Sequence, residues 1–211
     1  MIHFAIAVGL SAKRESFPTP EFLLGSIAPD AIHMRPNIGP DDKKRVHLRQ
    51  SPDSSDEERI RALFVAHCHE NAEAVEFAQG YTAHLLADQL WRKTVFASFR
   101  ERRPQELTAS QERSLYYDEA DQIDFDLYNG MPWRPRVWQG LAAAQARDFA
   151  DLLTGAEIRS WQERTLKWFD SLKEEPKLKP VYLTLEIAHN FVEQAVEMTA
   201  KHFASWNKDC T

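Results

Sequence analysis

Alternation of apolar and polar residues at period two is nearly missing from this chain, which argues against β-structure before any motif is read. Cysteine is scarce, with Cys68 and Cys210 alone among 211 residues. Two such distant cysteines do not imply a disulfide framework. No run of lysine or arginine is long enough to follow a phosphate backbone, and 26 basic residues against 32 acidic ones leave a net charge of -6. A stable nucleic acid partner is therefore not expected. The cluster Arg100, Arg102 and Arg103 beside Glu101 reads as the solvated end of a helix. No apolar run can span a bilayer: the stretch from Ile2 to Leu10 is too short and interrupted by His3. No transmembrane segment is expected, and the expected location is cytoplasmic.

What is present is enough for one packed interior. Hydrophobic residues make up 43% of the chain, with 6 Trp and 12 Phe, while 27% charged residues supply a soluble surface. At this length a single domain over residues 1–211 is expected. Helical periodicity dominates. It predicts helices over residues 2–13 and 20–26, the second capped by Thr19 with Pro20 at its first position. A loop rich in Pro, Asp, Asn and Gly then runs to about residue 54, long enough to suggest a functional role. Ser55 with Asp56, Glu57 and Glu58 starts a helix to about His67. Further helices follow at about 72–102, 116–128, 137–153, 155–174 and 184–206. The fold class is all-α.

The chemistry concentrates in Gly80-Tyr81-Thr82-Ala83-His84-Leu85-Leu86-Ala87-Asp88. Phe77, Tyr81, His84, Asp88, Trp91 and Val95 share one helix face at three-and-four spacing, and that face should meet a core. A carboxylate buried there needs a cation, a strong donor or a metal ion. Four residues advance a helix by about 6 Å, so one ion can sit between His84 and Asp88. The plainer alternative is that the two bond to each other or to a neighbouring Arg. His3 at the chain start, Asp30 at the end of Gly25-Ser26-Ile27-Ala28-Pro29-Asp30, and His47 bring the set to three histidines and two carboxylates, able to enclose one or two ions. His33, three residues beyond Asp30, is a ligand, supporting residue or substrate contact, or simply part of a turn. His67 and His69 flank Cys68 but point to different helix sides. Glu119 and Asp124 lie in an acidic run and are tentative additions. His189 with Glu193 forms an HxxxE pair in the last helix, where a histidine can equally be a hydrogen-bonded core residue.

Taken together, GSIAPD at Gly25 to Asp30, His47, and GYTAHLLAD at Gly80 to Asp88 resemble the zinc-dependent phospholipase C family, related in fold to the P1-type nucleases. The likeness is closest to short bacterial members without a secretion signal and covers about the first ninety residues. It implies a helical bundle of the phospholipase C/P1 nuclease type whose core holds zinc, one to two or more ions, or another divalent metal. On that resemblance Asp30, His47, His84 and Asp88 surround one zinc, and Asp88 also reaches a second held by His3. The family's remaining zinc is held by an HxxxE pair, for which His189 and Glu193 are the candidates here. Secreted members also use the amino group of an N-terminal Trp, whereas this chain begins Met1-Ile2-His3, and no histidine follows Asp88 until His189. The implied activity is hydrolysis of a small-molecule or lipid phosphate ester by metal-activated water, with Asp30 orienting or deprotonating that water. The contrasting expectation is a non-catalytic helical binding protein with a structural ion or a polar core network. A third, an HD-type phosphohydrolase, is disfavoured because no His-Asp pair is adjacent.

Overall fold

The computed structural model describes residues 1–49, 55–172 and 175–210. Among them the chain is all-α: α1 (Ile2–Ala12), α2 (Pro20–Gly25), a 3-10 turn (Ala28–Met34), α3 (Pro40–Val46), α4 (Asp56–His67), α5 (Ala72–Trp91), α6 (Ala97–Arg102), α7 (Ala109–Gly130), α8 (Arg134–Ala143), α9 (Gly155–Trp168) and α10 (Leu185–Trp206). No strand occurs among these residues, and no helix is long and apolar enough to cross a membrane. α5 and α6 form one rod interrupted by a π turn at Arg92–Phe96, within the single helix expected over 72–102.

Local chemistry starts most of these helices. Thr19 Oγ1 accepts from Phe22 N at 3.1 Å, Asn71 Oδ1 from Ala74 N at 3.0 Å, and Thr184 Oγ1 from Ile187 N at 3.3 Å. Ser55 with Glu58, Thr108 with Gln111 and Thr154 with Glu157 close reciprocal capping boxes. The box at Thr108 explains why α7 begins well before the segment expected at 116. Elsewhere tertiary contacts override propensity. Residues after Ala143, expected to continue a helix to 153, turn away because Gln162 Nε2 donates to the carbonyls of Leu141 at 2.6 Å and Ala144 at 3.0 Å, closing the end of α8. Ala150 and Asp151 then take positive φ so that Phe149 and Leu153 can be buried. The long loop expected to residue 54 contains the 3-10 turn and α3; residues 50–54 lie outside the described residues.

The centre of the molecule is α5, buried continuously from Gly80 to Ala87 rather than along one stripe. It crosses α2 at backbone contact. A Cβ on Gly25 would strike the Phe77 carbonyl, and one on Gly80 the Phe22 carbonyl. Two glycines facing two carbonyls leave no flexible side chain to yield. Tyr81, fully buried, donates its hydroxyl to Val46 O at 2.7 Å and so ties α3 to α5.

Cys68, the cap of α4, is disulfide-bonded to Cys210, their Cα atoms 6.0 Å apart. A separation of 142 residues carries no sequence signal for this pairing. Folding brings the ends together through Arg61 and Asp209, 2.9 Å apart, and the edge-on packing of Phe64 against Trp206.

Gly80→Ala is expected to destabilise the protein by about 3 kcal/mol, the upper end of the usual cost of overpacking, since two backbones leave nothing to relax. Equilibrium denaturation in urea checks it, and an unchanged midpoint contradicts the backbone contact.

Candidate metal centre

Four segments deliver side chains to one place. α1 supplies His3 from its first turn, the 3-10 turn supplies Asp30, the cap of α3 supplies His47, and α5 supplies His84 and Asp88. Each is held by ordinary local forces. The end of α3 is a Schellman turn: Leu48 takes φ 52°, its N–H donates to Arg45 O at 3.0 Å, and the N–H of Arg49 donates to Lys44 O at 2.8 Å. That turn fixes the direction of His47. The glycine crossing places the Ser26 carbonyl against α5, where it meets His84 Nδ1 at 2.8 Å.

The histidine tautomers follow from these bonds. Carbonyl oxygens only accept, so Nδ1 of His84 donates to Ser26 O, and Nδ1 of His47 donates to Lys43 O at 3.0 Å. Both rings therefore present Nε2 to the carboxylates. His47 Nε2 lies 3.7 Å from Asp30 Oδ1 and 3.7 Å from Asp88 Oδ2; His84 Nε2 lies 3.9 Å from Asp88 Oδ1. His3 Nε2 stands 3.7 Å from Asp88 Oδ1, and its ring stacks on that of His84 with centroids 3.8 Å apart. These separations are too long for direct hydrogen bonds. The Nε2 of His84 and the Nδ1 of His3 are buried with no hydrogen-bond partner. Buried polar atoms without partners call for an explanation.

Two groups of donors emerge among the described residues, His3–Asp30–His84 and His47–His84–Asp88, each with ligand atoms within 4.8 Å of one another. Either could hold a metal ion. The grouping differs from the one the resemblance implies, because Asp30 also joins His3. Burial by itself would raise Asp30, yet the surrounding His47, His84 and His3 outweigh it and hold the carboxyl well below its usual range. His3 is pushed well below the usual histidine value by burial first and His84 second.

A cavity of about 380 Å3 opens on the cluster, lined by Trp91, Tyr116, Tyr117, Asp121 and Asp124 beside His3, Asp30 and Asp88. Tyr116 accepts a 2.7 Å hydrogen bond from Trp91 Nε1, and burial pushes its phenol up to about 12. A smaller cavity of about 190 Å3, walled by Trp138, Trp161, Arg164, Trp168 and Phe169, shares His3, Asp30 and Asp124 with the first. No family model matches this chain, and no curated protein or solved structure matches it.

The tentative candidates separate from the core set. Asp124 lines both cavities, its Oδ1 2.9 Å from the Met1 amino nitrogen. His33 is exposed, belongs to neither donor group and packs toward Trp161 at 5.9 Å between ring centroids. Glu119 does not reach the centre. Buried, it accepts from the amides of Val181 at 2.8 Å, Tyr182 at 2.9 Å and Leu183 at 2.7 Å, a backbone nest that satisfies its carboxylate. His189 and Glu193 are both exposed on α10 and join neither group, since Ala188, Phe191 and Ala195 occupy that helix's inner face. Arg49 was not among the candidates, although its Nη2 lies 2.9 Å from Asp88 Oδ2. Only its place two residues after His47 hints at this, and loop residues carry no periodicity to reveal a direction.

His84→Ala is expected to lower bound zinc per chain and to remove the zinc-dependent rise in thermal midpoint, because an ion that binds only the folded state stabilises it. Elemental analysis and thermal scans with and without zinc check this; full zinc content in the variant contradicts it.

Proposed function

We propose that this protein is a zinc-dependent phosphoric ester hydrolase, with the helical architecture of the phospholipase C/P1 nuclease type. The observation that carries the reading is the buried, unpartnered Nε2 of His84 among five donors from four segments. The donor set fits the metal: imidazole and carboxylate are the ligands that zinc accepts, and the Nδ1 bonds to Ser26 and Lys43 carbonyls are the outer contacts that orient such rings.

A divalent ion bound there supplies a Lewis acid that polarises a phosphoryl oxygen and lowers the pKa of water from ~15.7 toward neutrality. The residues of the chain do the rest. Asp30, held ionised by its histidine neighbours, suits the work of ligation and of orienting the attacking water better than that of taking its proton, since an efficient base has a pKa near the working pH. Tyr116 accepts from Trp91 and keeps its own hydrogen to donate into the cavity. The substrate is a small-molecule or lipid phosphate ester that enters along Trp91 and Tyr117.

A second reading, a non-catalytic helical protein with a polar core network, is favoured by one contact, the Arg49–Asp88 ion pair. The cytoplasmic location expected from the sequence holds under either reading as a proposal, and the Cys68–Cys210 bond bears against it, because disulfides persist mainly in oxidising compartments.

Purified protein supplied with zinc is expected to cleave a chromogenic phosphodiester or phosphomonoester, and Asp30→Asn to reduce the rate by roughly a hundredfold with the fold retained, the cost of losing a positioning group. Circular dichroism monitors the fold. A panel of diesters, monoesters and phospholipids without metal-dependent turnover favours the polar-network reading instead.

A further inference from the structure

Among the described residues, Arg49 is a cation that touches the donor set directly. Its Nη2 sits 2.9 Å from Asp88 Oδ2, the oxygen that also faces His47 Nε2 at 3.7 Å. The other Asp88 oxygen faces His3 and His84. An ion in the His47–His84–Asp88 group draws on the same carboxylate that the guanidinium holds. Two cations beside one carboxylate repel each other.

The surroundings give a displaced guanidinium a role. Asp56 is shared between Arg59 and Arg92, the latter at 3.1 Å, and both Asp56 and Arg92 act electrostatically on Arg49. The cavity beside Asp88 is lined by Asp121 and Asp124. Asp88 itself lines that cavity, so the guanidinium it holds stands beside the space a ligand enters. The Schellman turn restrains the Arg49 backbone, so its side chain can change partners without moving the ligand His47.

We propose that Arg49 is the anion anchor of the centre: a divalent cation competes with its guanidinium for Asp88 Oδ2, and the released guanidinium takes an oxygen of the phosphate ester. This rests on the metal-dependent reading above. A planar guanidinium matches two phosphate oxygens at once, a task a lysine performs less well.

The test measures binding rather than turnover, on the full chain, with Arg49→Gln and Arg49→Lys as variants. Zinc affinity is read by competition with a chromogenic chelator, and inorganic phosphate binding to the zinc-loaded protein by calorimetry. Arg49→Gln is expected to bind zinc roughly tenfold more tightly, having lost the competing cation. It is expected to bind phosphate roughly tenfold more weakly, and Arg49→Lys to fall between it and the wild type on phosphate. Zinc affinity that is unchanged or lower in Arg49→Gln overturns the competition and leaves Arg49 as a brace for Asp88. Equal phosphate binding by wild type and Arg49→Gln overturns the anchor while leaving the metal centre standing. A wild-type chain that binds no zinc overturns the metal reading and the exchange with it.

Discussion

Everything at the centre depends on how closely α2 approaches α5. Where Gly25 meets the Phe77 carbonyl and Gly80 meets the Phe22 carbonyl, the two backbones touch with no side chain between them. That approach sets the Ser26 carbonyl against His84 Nδ1, so the tautomer of the central histidine is a consequence of helix packing. It also sets the start of the 3-10 turn that carries Asp30. Interiors packed at crystal density transmit such a constraint with little loss. A shift of an ångström between the helices would misdirect two donors at once.

The remaining donors are tied to the same helix by other means. Tyr81 holds the Val46 carbonyl, and His47 follows at the next residue. His3 stacks on His84. α5 therefore acts as a common reference for three segments that have no covalent relation to each other near the site. Burying so many polar groups is costly unless each finds a partner. Most do, and among the atoms of the described residues that do not are imidazole nitrogens of His3 and His84 at the cluster itself.

Much of the helical layout could be read from capping residues and apolar spacing, because those signals are local. Thr19 and Ser55 mark helix starts in the sequence and cap them in the structure. The Thr108 and Thr154 boxes are equally local, and the first marks the start of α7. The end of α8 was not legible, since the amide that stops it belongs to Gln162 on another helix. The motif residues His3, Asp30, His47, His84 and Asp88 do meet. Glu119 misled because an acidic run does not reveal that three backbone amides elsewhere await its carboxylate. His189 and Glu193 share a spacing that a solvent-facing turn satisfies as well as a buried one. Arg49 escaped because its direction is set by a left-handed Leu48 that the residue type does not announce.

The bond between Cys68 and Cys210 divides the chain in a way that matters for assembly. It closes a covalent ring that contains His84 and Asp88 and excludes His3, Asp30 and His47. The ring's unfolded form is restricted, by about 5 kcal/mol on a chain-entropy estimate for a loop of this size, whereas the amino-terminal arm keeps its full freedom until it docks. Three of the five donors thus arrive on a tether that only noncovalent packing holds in place. A local opening of that arm would dismantle the centre, which makes the donor set a reporter of whether the two parts of the chain have come together.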